Sequence, residues 1–137
     1  MADIVALTTG RLAALAGINI ETVRFYERSG LIAKPKRTAS NYRQYPRSDV
    51  ARVRFIRRAQ GLGFSLKEIA ELLSLRAAPS RSRARVKRLT EEKLGVIEGK
   101  IADLQRMRKS LASISAACDG RGTVADCPII NALEDGK

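Results

Sequence analysis

TGRLAALAGINIETVRFYERSGL, residues 9–31, contains two short helical patterns separated by a turn. Asn19 can accept a hydrogen bond from the first turn of the second helix, and Gly30 suits the left-handed conformation that often follows a helix. The positions expected to face a core are Leu12, Leu15, Ala16, Ile20, Val23 and Phe25. This order of elements predicts a helix–turn–helix, in which the second helix enters the major groove of DNA.

A basic segment follows, KPKRTASNYRQYP at residues 34–46. The alternation of Tyr42, Arg43 and Tyr45 predicts a small β-hairpin, or wing, closed by Pro46. A plain linker is the alternative interpretation. Arginine and tyrosine both donate hydrogen bonds to phosphate oxygens, so we expect the wing to contact the DNA backbone.

Two more helices are predicted after the wing. The first begins with Ser48 or Asp49 as its cap and runs to about Leu62. The second begins at the capping-box pattern Ser65–Glu68 and runs to about residue 75. Arginines expected on the outer face of the first are Arg52, Arg54, Arg57 and Arg58. Two helix pairs around a hairpin predict a winged helix–turn–helix domain over residues 1–76.

Residues 77–117 are expected to form a hinge and a long dimerisation helix. Pro79 interrupts the helical pattern, and one helix then runs from about Ser82 to Ala117. Its apolar residues recur at steps of three and four, mainly at Leu94, Ile97, Ile101, Leu104, Leu111 and Ile114. A lone helix would expose this stripe, so a second copy of the chain is the simplest partner. The fold is therefore predicted to be mainly α and homodimeric, with a coiled coil.

The charge of the chain favours a polyanionic partner. It has 26 lysine and arginine residues against 14 aspartate and glutamate residues, a formal net charge of +12. Residues 1–76 hold 14 basic and 6 acidic residues, and residues 77–137 hold 12 and 8. Basic surfaces gain affinity for nucleic acids by releasing counterions from the phosphates. Double-stranded DNA is the expected partner.

Composition also argues against other classes of protein. No apolar run approaches the roughly 20 residues that cross a bilayer, and the N-terminus lacks the pattern of a signal peptide. We therefore expect a cytoplasmic protein with no membrane partner. The chain has no histidine, no glycine-rich phosphate loop and no paired carboxylates in a pocket-like pattern, so we do not expect an enzyme.

Cys118 and Cys127 are the only cysteines, and they bracket the short segment CDGRGTVADC. Residues 118–137 are predicted to form a metal-binding loop and a C-terminal tail. Thiolates favour soft ions such as Cu(I), Ag(I), Au(I), Hg(II) and Zn(II). Zinc prefers four ligands, which here would have to include Asp119, Asp126 or water. A reversible disulfide between the two thiols, acting as a redox switch, is the alternative of another class.

The ordered set of motifs resembles the MerR family of transcription regulators, and more closely its metal-sensing branch. The motifs are ETVRFYERSGL at 21–31, YRQY at 42–45, GLGFSLKEI at 61–69 and CPII at 127–130. The resemblance implies a homodimer with an antiparallel coiled coil, bound at a promoter together with RNA polymerase. It also implies that a bound metal makes the protein distort the DNA and converts repression into activation.

Helical spacing places Thr22 on the outer face of the recognition helix. Carried over by position, the resemblance assigns further DNA contacts to Arg24, Tyr26, Tyr42, Arg43, Tyr45, and Arg57 or Arg58. It assigns Cys118 and Cys127 to the metal-binding loop, which in the family contacts the partner chain.

The chain departs from the family at the third thiol. Mercury, zinc and lead sensors carry another cysteine near the start of the coil helix, and copper sensors usually carry serine. This chain has Arg83, with Ser82 beside it. Two thiolates around a monovalent ion leave a charge of −1, which Arg83 and Lys87 could offset. We therefore expect Cu(I), Ag(I) or Au(I). Hg(II) or another divalent ion is the alternative, because the eight residues between the thiols resemble the mercury sensor.

Overall fold

The computed structural model describes residues 6–78, 80 and 83–135, and the chain is mainly helical. In chain order its elements are α1 (Thr9–Ala16), α2 (Ile20–Arg28), β1 (Lys36–Arg37), β2 (Arg43–Gln44), α3 (Asp49–Gly61), α4 (Leu66–Ala77), α5 (Arg83–Ala116) and α6 (Pro128–Glu134). The chain divides into two compact units, residues 1–89 (the first unit) and residues 90–137 (the second unit). The predicted fold class, mainly α with a small hairpin and one long helix, is confirmed.

The core of the first unit lies between helices α1 to α4 and the hairpin. Its fully buried aliphatic side chains are Leu12, Val23, Ile32, Val53, Ile56 and Ile69. The predicted caps hold two of these helices in place: Asn19 accepts a hydrogen bond from the amide of Thr22 at 2.8 Å, and Ser65 and Glu68 make both bonds of a capping box. Asp49 begins α3, and Ser48 before it makes no side-chain cap bond. Local capping therefore agrees with the sequence at two of the three helix starts.

Helix α2 buries only one of the three residues predicted to face the core, Val23. Val23 and Tyr26 are buried, whereas Phe25 is 39% exposed and Ile20 is 40% exposed. Residues three apart share a helix face, and residues two apart do not. The spacing from Val23 therefore selects Tyr26 rather than Phe25 for the core. Ile20 shares the face of Val23 but is the first residue of the helix and stays 40% exposed, so the prediction that Phe25 and Ile20 face inward is wrong.

The hairpin forms where the wing was predicted. Strand β1 pairs antiparallel with β2, with Arg37 opposite Arg43. In the connecting turn Asn41 adopts a left-handed conformation with φ of 67°, and Arg37 donates a hydrogen bond to its carbonyl oxygen at 2.9 Å. Just beyond β2, Tyr45 exchanges two backbone hydrogen bonds with Leu7, at 2.7 and 2.8 Å. The wing is thus joined to the segment that precedes α1.

Helix α5 begins in the first unit and continues through residues 90–116 of the second. Within the second unit its apolar stripe is exposed, at Leu94, Ile97, Ile101, Leu104, Met107 and Leu111. The predicted hinge residue Pro79 and helix start Ser82 lie outside the described residues. The segment after Cys127, predicted as a tail, contains α6, which follows a 3₁₀ turn at Val124–Asp126. In the described part of the chain, no helix is long and apolar enough to cross a membrane.

Candidate functional site

Helix α2 carries three of the predicted DNA contacts, and two of them, Thr22 and Arg24, are bonded to neighbouring residues of the same helix start. The hydroxyl of Thr22 donates a hydrogen bond to Oδ1 of Asn19 at 2.8 Å. The guanidinium of Arg24 lies 3.4 Å from the carboxylate of Glu21, whose side chain is 77% exposed. The Nε atom of Arg24 is buried without a hydrogen-bond partner among the described residues. Contact of Thr22 and Arg24 with DNA stays a prediction.

Tyr26 and Tyr45 are buried, with exposures of 2% and 0%. The hydroxyl of Tyr26 donates to Oε1 of Gln60 at 2.6 Å, and that of Tyr45 donates to Oε1 of Glu27 at 2.9 Å. Burial raises the pKa of both phenols, and for Tyr45 the hydrogen bond to Glu27 raises it further. Their burial contradicts the prediction that these tyrosines contact DNA directly. The hydroxyl of Tyr26 instead links α2 to α3, and the hydroxyl of Tyr45 links the wing to α2.

The other two predicted residues of the wing differ in exposure. Tyr42 is 71% exposed. The side chain of Arg43 is 28% exposed, and its Nε atom lies 3.4 Å from Oε1 of Glu27. That Nε atom is buried and lacks the geometry of a hydrogen bond, so the contact with Glu27 is purely ionic. The wing therefore has one exposed aromatic side chain, Tyr42, and one arginine, Arg43, whose Nε atom faces Glu27.

Three arginines of α3 line an open cleft of about 340 Å³ next to the turn between α1 and α2. Arg54 donates to the carbonyl oxygen of Leu15 at 2.7 Å, and Arg57 donates to that of Gly17 at 2.8 Å; Arg58 is the third. Within the described chain no carboxylate pairs with these guanidinium groups. Three cations without a counter-charge favour an anion. Helical spacing predicts Arg54 on the outer face of α3, but Arg54 was not among the residues predicted to contact DNA.

The two cysteines lie at the ends of a turned loop in the second unit. Cys118 follows α5, and Cys127 immediately precedes α6. The amide of Gly120 donates to Sγ of Cys118 at 3.4 Å, and the amide of Arg121 donates to Oδ1 of Asp119 at 2.9 Å. Gly120 has φ of 76°, a left-handed conformation that allows the tight reversal. The loop encloses an open cleft of about 500 Å³, and both cysteines contribute to its lining.

The pair has the properties of a thiolate site. Backbone N–H groups of Ile130 and Ile129, at the start of α6, lower the pKa of Cys127. Desolvation opposes them, and a hydrogen bond with Cys118 lowers the pKa by less than desolvation raises it. Both cysteines are free and partly exposed. A lowered pKa favours the thiolate, which is the form that binds metals. The loop therefore suits a soft ion.

A third ligand is not found beside the thiols. In residues 6–78, 80 and 83–135, no three side chains of His, Cys, Asp or Glu gather as a metal site would require. Asp119 and Asp126, which a four-coordinate zinc site would have to borrow, do not complete such a group. Arg83 and Lys87 are exposed on the first turns of α5, and Ser82 lies outside the described residues, so their predicted place beside the metal stays a prediction.

Comparison with known families identifies the architecture. The family model for the MerR HTH family regulatory protein matches residues 7–75, and the model for the MerR DNA-binding region matches residues 50–114. The chain belongs to the MerR family. MerR proteins are transcription regulators that bind promoter DNA, which agrees with the helix–turn–helix, the wing and the basic first unit.

The relatives of this MerR protein include metal-responsive regulators. The mercuric resistance operon regulatory protein of Pseudomonas fluorescens is 45% identical over 130 residues, which are 95% of this chain and 89% of that protein. The structure of PbrR691 from Ralstonia metallidurans CH34 with lead(II) has a TM-score of 0.84 and 32% identity, covering 93% of this chain and 98% of that one. MerR from Bacillus megaterium MB1 with mercury(II) has a TM-score of 0.68 and 35% identity, covering 93% and 99%. The chain is a metal-responsive MerR-family transcription regulator.

Proposed function

We propose that this MerR protein is a mercury-responsive regulator whose Cys118 and Cys127 thiolates hold Hg(II). The observation that carries the proposal is a thiol pair in one loop, with the pKa of Cys127 lowered and no third ligand in the described part of the chain. The relative at 45% identity regulates mercuric resistance, and one structural neighbour contains mercury(II). These relatives do not support the sequence-based preference for Cu(I), Ag(I) or Au(I), and the alternative, Hg(II), replaces it.

The charge of the loop supports the same ion. Two thiolates neutralise Hg(II), whereas a monovalent ion leaves a net charge of −1 that is costly to desolvate. Between the cysteines the chain has one cation, Arg121, and two carboxylates, Asp119 and Asp126. The loop itself therefore supplies no positive excess to stabilise a negatively charged site.

DNA binding is proposed to use the first unit of each protomer in a homodimer. The recognition helix α2 would enter the major groove, with Thr22 and Arg24 towards the bases. Tyr42 and Arg43 of the wing, and Arg57 and Arg58 of α3, would contact phosphates. The exposed stripe of α5 supports dimerisation, because an apolar helix face of this length is stable when a second helix covers it. The metal-bound dimer would distort promoter DNA and so activate RNA polymerase there.

A competition titration of the reduced protein with Hg(II), Cu(I), Ag(I) and Zn(II) tests the proposal. We expect tightest uptake of Hg(II), lost in Cys118→Ser and in Cys127→Ser, with DNA affinity of the metal-free protein unchanged in both. Thr123→Ala is the matched control, because the side chain of Thr123 makes no cap bond in the same loop. Tighter uptake of Cu(I), or Hg(II) uptake that survives either serine variant, would contradict the proposal. Disulfide formation without uptake of any metal would favour the redox switch.

A further inference from the structure

Glu27 lies where the recognition helix meets the wing, and the functions described so far do not use it. Its Oε1 atom accepts the hydrogen bond of the Tyr45 hydroxyl at 2.9 Å and lies 3.4 Å from Nε of Arg43. The side chain of Glu27 is only 14% exposed. A carboxylate with so little exposure is stable when charged only if its partners compensate for lost water. Glu27 is therefore tied to both wing residues at once.

Tyr45 gives this carboxylate a fixed position. The ring of Tyr45 is fully buried, and its backbone exchanges two hydrogen bonds with Leu7. Its hydroxyl also shares a hydrogen bond with Thr9, the first residue of α1. The hydroxyl can donate to Glu27 while it accepts from Thr9, so its two bonds do not compete. The start of α1, helix α2 and the wing are thus linked through the Tyr45 hydroxyl, which bonds both Thr9 and Glu27.

Arg43 faces this oxygen with only one edge of its guanidinium group. The Nε atom is on the Glu27 side and is buried. The terminal nitrogens make no hydrogen bond or ion pair with the residues that the structure describes. A guanidinium group is planar and binds phosphate best through two parallel N–H donors. The carboxylate of Glu27 attracts the Nε edge of the group, and this leaves the terminal donors available to a phosphate.

We propose that Glu27 is a positioning residue for DNA binding, which orients Arg43 of the wing towards a backbone phosphate. This inference rests on the proposed contact of the wing with DNA. Coulomb repulsion alone predicts that a carboxylate near DNA weakens binding, so its removal should strengthen binding. Orientation of Arg43 predicts the opposite sign. The direction of the change therefore separates the two effects.

The test is a double-mutant cycle with Glu27→Gln and Arg43→Ala, measured as affinity for a DNA duplex over a series of salt concentrations. A duplex of arbitrary sequence suffices, because phosphate contacts carry no sequence information. Glutamine keeps an oxygen for Tyr45 but removes the charge that holds Arg43. We expect Glu27→Gln to weaken binding about fivefold, the size of one net neutral hydrogen bond, because Arg43 keeps its charge and loses only its orientation. We expect Arg43→Ala to lower the salt slope by about one per protomer, and Glu27→Gln to have no further effect in that background.

Two controls keep the result interpretable. Glu71→Gln removes the same charge from the first unit at an ion pair with Arg85, at 2.6 Å, and should leave affinity unchanged or raised. Arg43→Lys keeps the charge without the planar fork, and it should weaken binding and remove most of the dependence on Glu27.

Three outcomes would overturn the proposal. Tighter binding by Glu27→Gln would show that repulsion dominates. An equal loss of affinity on Glu27→Gln substitution in the wild-type and Arg43→Ala backgrounds would show that Glu27 acts only on the fold. Failure of the wild-type protein to bind any duplex would remove the proposed function as well, and that result is recognised before any variant is compared.

Discussion

Gly17→Ala should destabilise the protein more than Gly30→Ala, because only the first substitution displaces Arg57. Both glycines are left-handed, with φ of 74° and 77°. An L-residue in that conformation costs about 1–2 kcal/mol. A Cβ atom on Gly17 would lie 3.1 Å from Nη1 of Arg57, whereas one on Gly30 would meet nothing within 4 Å. The two substitutions therefore share the backbone strain and differ in a single contact.

The size of the difference follows from the bond that Arg57 makes. Its Nη1 atom donates to the carbonyl oxygen of Gly17 at 2.8 Å, and a methyl group at 3.1 Å makes the guanidinium shift by a few tenths of an ångström, which weakens that bond. A net hydrogen bond contributes about 0.5–1.5 kcal/mol, and the lower end applies because Arg57 is exposed. We therefore expect Gly30→Ala to cost about 1 kcal/mol and Gly17→Ala to cost about 0.5 kcal/mol more.

Urea denaturation at fixed protein concentration measures both losses, because the stability of a dimer depends on its concentration. In an Arg57→Ala background the excess cost of Gly17→Ala over Gly30→Ala should disappear. Equal costs in the wild-type background would refute the argument that the contact with Arg57 matters. An excess that persists without Arg57 would refute its assignment to that side chain.

Two other predictions concern buried polar groups of the first unit. Asp49→Asn should raise the melting temperature increasingly as the pH rises above about 4. Burial, partly opposed by Arg52, raises the pKa of Asp49 above its ordinary 3.8. The stability that the protonated carboxyl gives the folded state is therefore full below that value and is lost as pH rises through the raised pKa. A pH-independent difference in melting temperature between Asp49→Asn and the wild-type protein would contradict this. Tyr26→Phe should cost about 0.5–1.5 kcal/mol through the lost bond to Gln60 and leave DNA affinity unchanged, as parallel denaturation and binding measurements would show. Weaker DNA binding at unchanged stability would restore Tyr26 as a DNA contact.

Features governed by one turn of chain were predictable from the sequence. The cap at Asn19 and the capping box at Ser65 depend on groups three residues apart, and both form as expected. The start of α6 also had a local signal, proline at the first helical position, which the sequence interpretation overlooked. The inward side of α2 was different, because a helix of nine residues with Phe25 and Tyr26 adjacent offers two aromatic candidates for the core. The partner of Tyr26 is Gln60, on α3, and no local pattern indicates that pairing.

The thiol pair was predictable because soft-ligand chemistry belongs to cysteine itself. The lowered pKa of Cys127 was not predictable, because it depends on amides of α6, and the sequence predicted only a C-terminal tail there. The choice of metal was likewise argued from Arg83 and Lys87, which belong to the first unit, whereas the thiols belong to the second. Whether Arg83 and Lys87 offset the charge of the thiolates depends on how the chains assemble. The spacing of residues in one sequence carries no information about that assembly.

The burial of Tyr26 and Tyr45 changes how sequence recognition has to work under the proposed function. Of the predicted contacts, Thr22 is already bonded to Asn19 and Arg24 is already paired with Glu21. The arginines of the wing and of α3 suit phosphates, which carry no base information. Few side chains besides Thr22 and Arg24 therefore remain to read base edges in the major groove. Part of the discrimination among promoters would then come from the cost of deforming the DNA, which varies with sequence even where the protein makes no contact. A regulator that acts by distorting its promoter would use that same deformability both to select the site and to respond to the metal.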